Sequence, residues 1–155
     1  IFVRHKRDNW HDISPHVEQA LESELPYNHE RFFYEFYERM AENKRKCVNF
    51  IRDAAAYGKK VWVYGASTKG NCILQWYELD NTLIQGAADK SSEKHGKYTV
   101  GSGIPIYSEE YARIVNPDLF FVLPYAFLTE FIEREHAWRV KGGRFIVPLP
   151  EFKVI

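Results

Sequence analysis

The chain has 155 residues, with 21 basic and 21 acidic side chains, 45% apolar residues and 16% aromatics. That length and apolar share suit one domain with one sizeable core, and the zero net charge excludes broad nucleic-acid binding, which needs a basic stripe. No apolar run is long enough to cross a bilayer and no signal peptide opens the chain, so no membrane partner is expected.

Residues 1–5 look like the end of a strand without an evident partner, after which the sequence turns charged. Residues 14–25 carry Val17, Leu21 and Leu25 at spacings of four. This is a short amphipathic helix with Pro15 in its first turn, and Pro26 ends it. Asn28 is the expected cap of the next helix, with Glu30 in its first turn. That helix runs to about Tyr57, and Gly58 stops it. Its first stripe is Phe33, Phe36, Tyr37 and Met40; its second is Cys47, Val48, Ile51 and Ala55. Polar residues 43–46 separate the stripes, so the first half is expected to pack on another domain or subunit.

From Lys59 the texture changes to alternating strands and helices. Strands are predicted at residues 61–64, 83–88, 118–123 and 144–147, with a short extended piece at 104–106. Helices are predicted at 71–79, at 109–115 behind the cap Ser108, and at 128–140 before Gly142 and Gly143. The continuous apolar run at 118–123 marks a strand buried on both faces. The alternation predicts an α/β fold: a Rossmann-like three-layer αβα domain with a mostly parallel sheet, preceded by an N-terminal helical extension. The division reads as residues 1–29 for the extension and 30–155 for the Rossmann-like domain. Cys47 and Cys72 each sit in a helical pattern and read as two buried free thiols in a reducing, cytoplasmic setting. The chain begins at Ile1 rather than Met, so it reads as a fragment of a longer protein.

The stretch Gly65, Ala66, Ser67, Thr68, Lys69, Gly70 and Asn71 joins the first strand to its helix. Gly65, Ser67 and Gly70 fall at the three glycine positions of the dinucleotide fingerprint, with serine in the middle. Gly65 permits a tight turn off the strand, and Gly70 lets the helix start close to the sheet. Free N–H groups there face any phosphate above the loop, Lys69 adds a mobile positive charge, and Ser67 offers a hydroxyl. No Lys-Ser/Thr pair follows Gly70, so this is not a P-loop. An ordinary tight strand-to-helix turn is the competing reading.

In such a sheet, ligands sit beyond the carboxyl ends of the strands. Three loops converge there: 65–70, the one after Asp89, and 124–127. Asp89 ends the second strand, where a dinucleotide fold places its ribose-binding acid, or it simply caps the following turn. Residues 90–103 form a long polar loop with Lys90, Lys94 and Lys97, functional or mobile by its length. Pro124 and Tyr125 follow the buried strand, and Tyr125 either walls a ligand site or packs. The six histidines lack metal-ligand spacing, so no metal is expected. No catalytic set can be assembled from these loops: Lys69 stands where a nucleophile elbow needs glycine.

Taken in order, the motifs resemble a known family. They are residues 65–71; then Asp89 with Lys94, Gly96, Lys97, Tyr98, Thr99 and Gly101; then Ile104-Pro105-Ile106, Pro117-Asp118 and Leu123-Pro124. The set resembles the C-terminal domain of S-adenosylmethionine-dependent sugar C-methyltransferases, which methylate a carbon of nucleotide-linked deoxysugars. The likeness runs from about Val3 to Pro150, and Phe2-Val3-Arg4-His5 looks like the last strand of a preceding methyltransferase domain. Tyr125-Ala126 stands where the family usually has Trp-Asn, and Ser92 and Val100 replace loop prolines.

The resemblance implies a domain without its own S-adenosylmethionine site. The methyl donor and acid/base residues belong to the middle domain, and zinc to a domain before it. The nucleotide-sugar would be held by residues 65–71 with Asp89, Lys94, Pro124 and Tyr125. The expected partners are a nucleotide-diphosphate sugar, the upstream methyltransferase domain and a second copy in a homodimer. Two other classes stay open: an NAD(P)-binding module of an oxidoreductase or redox sensor, and a structural domain fixing a subunit interface.

Overall fold

The computed structural model describes residues 14–155 together with His5 and Arg7. The strand expected at residues 1–5 falls outside the described residues, His5 apart. By internal contacts the chain divides into two units, Ile1–Arg39 and Met40–Ile155.

In the first unit, α1 spans Pro15–Glu24. Ser14 caps it by accepting from the His16 amide, and Pro15 opens it; proline suits that place because its missing N–H has no partner there anyway. A single 3-10 turn, Leu25–Tyr27, follows. Helix α2 spans Glu30–Ala56, its residues up to Arg39 belonging to this unit and those from Met40 to the second. Its cap is His29, whose Nδ1 accepts from the Phe32 amide at 3.0 Å, not the expected Asn28. No residue of α1 is buried, and Phe33, Phe36 and Tyr37 on α2 are all about half exposed or more.

The second unit holds a six-stranded sheet in the order β3-β2-β1-β4-β5-β6. The strands are β1 Val61–Tyr64, β2 Gly86–Asp89, β3 Ile106–Ser108, β4 Leu119–Val122, β5 Arg144–Val147 and β6 Lys153–Val154. All neighbours are parallel except β5 and β6. The helices between them are α3 Thr68–Tyr77, α4 Glu109–Val115, α5 Leu128–Arg134 and α6 His136–Val140.

Strand alternation decides which core each residue joins. Val61, Val63, Ala87, Leu119, Phe121 and Ile146 face one core, with Cys47, Val48 and Ile51 of α2 and Leu74 and Tyr77 of α3. Trp62, Tyr64, Ala88, Phe120, Val122 and Phe145 face the other, with Ala112, Phe131 and Trp138 of α4, α5 and α6. The three-layer, mostly parallel arrangement expected of the sequence is therefore present.

Several boundaries differ from the sequence expectation. Strand β2 begins at Gly86, because Leu83 and Ile84 belong to a turn whose amides bond to the Asp80 carbonyl. Ala54 is buried at the end of the α2 stripe where Ala55 was expected. Asn43, in the polar interruption, is buried; its Nδ2 donates to the Pro150 carbonyl at 2.7 Å. The helix expected at 128–140 is broken at Glu135 into α5 and α6. Cys47 is fully buried, but Cys72 is exposed rather than buried. The expected long loop folds into a 3-10 turn, Ser92–Lys94, and a bent hairpin in which Gly96 donates to Ile106 and Ile106 to Lys97.

Candidate functional site

The loop from Gly65 to Asn71 leaves the carboxyl end of β1, beside β4, where the strand order reverses. Gly65 has φ +83° and its amide donates to the Ala88 carbonyl at 2.7 Å. A Cβ on Gly65 would stand 2.6 Å from Pro124 Cγ, and one on Gly70 would stand 2.6 Å from Leu123 Cβ. Both fingerprint glycines are thus needed for close packing of this loop on the end of β4. Gly70 does bring the helix start against the sheet, through Leu123.

Ser67 is the cap of α3. Its Oγ accepts from the Gly70 amide at 3.0 Å, and its carbonyl accepts from the Asn71 amide at 3.1 Å. The amides of Thr68 and Lys69 have no protein acceptor among the described residues. Lys69 is exposed and makes no ion pair among the described residues. Of the amides expected to face a ligand, one is closed by the protein's own hydroxyl and two remain open. The Asn71 Oδ1 is sealed from solvent without a hydrogen-bond donor.

Asp89 ends β2 as expected, but it is 7% exposed. Its Oδ1 accepts from the Ser91 amide at 2.8 Å and its Oδ2 from Lys94 Nζ at 3.0 Å. Lys94 Nζ also donates to the Ala66 carbonyl at 3.0 Å. Ala66, Asp89 and Lys94 therefore meet, and Gly65 meets Pro124. Tyr125 begins a 3-10 turn, Tyr125–Phe127, and is 38% exposed. Among the described residues no group of three or more His, Cys, Asp or Glu side chains is placed to hold a metal ion.

Residues 1–150 match the family described as C-methyltransferase C-terminal domain. This chain belongs to that family. A curated relative, the C-methyltransferase NovU of Streptomyces niveus, is 36% identical over 147 residues, covering 94% of this chain. The chain spans only 35% of that relative's length. Among solved structures, UDP-D-quinovosamine 4-dehydrogenase from Vibrio fischeri is 21% identical, with a TM-score of 0.41 over 63% of this chain and 93% of that one. That last likeness is too distant to carry an argument.

This C-methyltransferase C-terminal domain has a second polar cluster, beneath the loop, that the sequence reading missed. The Tyr64 hydroxyl donates to Glu135 Oε1 at 2.7 Å. Arg113 donates to the same carboxylate through Nε at 3.1 Å and Nη2 at 2.5 Å. Glu135 is 3% exposed. Burial first, and the hydrogen bond to Glu135 second, push the Tyr64 phenol well above its ordinary range. The Glu135 carboxylate raises Arg113 further. The signal was legible: Glu135 lies on one helical stripe with Phe131 and Trp138, both core residues, and an acid there needs a buried partner. The cluster anchors α4 and the α5–α6 break to the last residue of β1, one residue before Gly65.

Proposed function

We propose that this chain is the part of a sugar C-methyltransferase that holds the nucleotide-diphosphate sugar, and that it carries no methyl-transfer chemistry of its own. The supporting observation is the open pair of amides at Thr68 and Lys69. They stand at the positive end of a ten-residue helix, beside an exposed lysine, at the carboxyl edge of a parallel sheet. Membership of the family supplies the reaction class. Backbone N–H groups and a lysine suit a diphosphate, because both offer donors to oxygens whose charge does not depend on the sugar or base.

The residues here do not fit S-adenosylmethionine or a nicotinamide dinucleotide held in the usual way. Both bind through a ribose diol on a strand-end acid, and Asp89 already accepts from Ser91 and Lys94. The approach to Gly65 and Gly70 is filled by Pro124 and Leu123. Zinc is accordingly assigned to one upstream domain of the full-length protein, in the cytoplasm, and the methyl donor to the domain after it. Bound there, it supplies the methyl group, while residues 65–71 hold the acceptor sugar by its diphosphate.

The test is calorimetry of the full-length protein with nucleoside diphosphates and nucleotide-sugars. We expect saturable heat in the wild type, about tenfold weaker binding in Lys69→Ala, the size of one charge-assisted hydrogen bond, and none in Gly70→Val. No heat at millimolar ligand would end this reading, and nicotinamide dinucleotide binding without nucleotide-sugar binding would replace it.

A second role is favoured by the first unit. Leu21, Leu25, Tyr27 and Phe33 are more than half exposed, and with Phe32 they line a groove of about 460 Å³. Apolar surface of this kind marks an interface, which we assign to the upstream methyltransferase domain, with a homodimer as the alternative. Sedimentation of the full-length protein separates them, since only the homodimer is lost on dilution.

A further inference from the structure

Sequence position makes Lys94 a candidate ligand contact; its side chain is 41% exposed, but its ammonium is bonded to the protein's own oxygens. Nζ bridges two acceptors that belong to different strand ends: the Ala66 carbonyl after β1 and the Asp89 carboxylate at the end of β2, each at 3.0 Å. Ala66 is 6% exposed and Asp89 7%. Both acceptors sit in residues with little access to water, so losing the ammonium takes a charge-assisted donor from a carbonyl and a carboxylate. Ala66 immediately precedes Ser67, the cap that defines where α3 begins.

From this geometry we infer that Lys94 is a positioning residue: it fixes the start of α3 so that the Thr68 and Lys69 amides point at a diphosphate, without touching that ligand itself. The inference rests on the nucleotide-holding reading above. The loop is held from two sides. On the β4 side, Leu123 and Pro124 fill the space at Gly70 and Gly65, and these are contacts of shape. On the β2 side, the hold is a charge-assisted pair, which has direction. Open amides bind an anion well only if they are already aimed, because aiming them during binding costs affinity. The pair Asp89–Lys94 therefore acts as one unit, and Asp89 contributes through Lys94 rather than through a ribose.

The experiment has a ligand-free arm and a ligand arm, both on the full-length protein. In the first, hydrogen exchange is followed at the Ser67, Gly70 and Asn71 amides, which are hydrogen-bonded within the loop. Lys94→Met should speed exchange there about tenfold and leave the Phe121 amide of β4 unchanged, which also shows that the fold is intact. Unchanged exchange at these loop amides overturns the inference, whether or not any nucleotide binds.

In the second arm, uridine diphosphate is titrated at several salt concentrations. Lys94→Met should weaken binding about tenfold while keeping the wild-type salt dependence, whereas Lys69→Met should weaken binding and flatten that dependence. Asp89→Asn should weaken binding similarly, and the Lys94→Met/Asp89→Asn double variant should be no weaker than either single one. Full-strength binding by Lys94→Met overturns the inference. So does a flattened salt dependence, which would place the ammonium on the ligand. Absence of binding by the wild type defeats the nucleotide-holding reading instead, and the exchange arm then still decides whether Lys94 sets the loop.

Discussion

On one face of the sheet, α2 and α3 cover Val61, Val63, Ala87 and Phe121 with almost wholly apolar side chains. On the other, α4, α5 and α6 cover Trp62, Tyr64 and Phe120, and carry a carboxylate and a guanidinium into the packing. The first face is held by shape and the removal of surface from water, which has no direction and little pH dependence. The second adds contacts that must meet at particular atoms. The directed contacts lie under the carboxyl end of β1, where the candidate site starts. The sheet thus carries directed anchors where the proposed ligand loop begins.

Five variants or measurements sharpen this contrast, the largest effect first. Phe121→Ala, on the apolar face, should cost about 3–5 kcal/mol by urea denaturation, since a fully buried ring leaves a cavity. Glu135→Ala, on the other face, should cost about 3 kcal/mol, because Tyr64 and Arg113 lose their shared acceptor. Glu135→Gln should cost less, since the amide still accepts from Tyr64. A loss under about 1 kcal/mol for Glu135→Ala, the worth of an exposed pair, would show that the cluster is decoration and that the two faces are alike.

Asp118 offers a smaller, pH-dependent contrast at the opposite end of the strands. The Lys60 amide, with Lys59 beside it, holds its carboxyl below the ordinary value of 3.8. A carboxyl lowered in the folded state stabilises the fold above its ordinary value, and that stabilisation is lost as pH falls through the lowered one. Wild type should therefore be more stable than Asp118→Asn at neutral pH, with the gap closing below about pH 4. A gap unchanged at acid pH would remove the carboxylate from the explanation. The smallest effect is chemical: of this chain's two cysteines, iodoacetamide should alkylate exposed Cys72 and spare Cys47 in the native protein, as read by peptide mapping. Burial pushes the Cys47 thiol up to about 12 and shields it. Alkylation of Cys47 without denaturant would mean that the apolar face opens readily.

How much of this was readable in the chain depends on how local the cause is. Ser108 announces a helix start because a cap bonds within three residues, whereas Ser67, read as a hydroxyl for a ligand, is spent as the cap of α3, which begins at Thr68 rather than Asn71. Gly58 and Gly65 announce turns because each adopts a positive φ. The continuous run at β4 announced a doubly covered strand. Asp89 was placed correctly at its strand end, but the ammonium that occupies it comes from a turn whose fold has no short-range signature. The break at Glu135 had a local sign, an acid on an apolar stripe, but its partners lie on β1 and α4. Asn43 looked like a gap in a stripe, because its acceptor at Pro150 is remote in sequence. Strand β6 has two residues and no pattern of its own. The open amides of the candidate site could be anticipated from the helix start, whereas the closed acid beside them could not.

Phe145 and Ile155 exchange both of their backbone hydrogen bonds, at 2.9 and 3.0 Å. This hem gives the outer side of β5 a partner. A shortened form lacking residues 151–155 would leave β5 with a row of bare donors and acceptors beside Phe145 and Ile146, a template for stacking with other molecules. Such a form should retain its helices when dilute and precipitate when concentrated, so residues 151–155 govern solubility as much as stability.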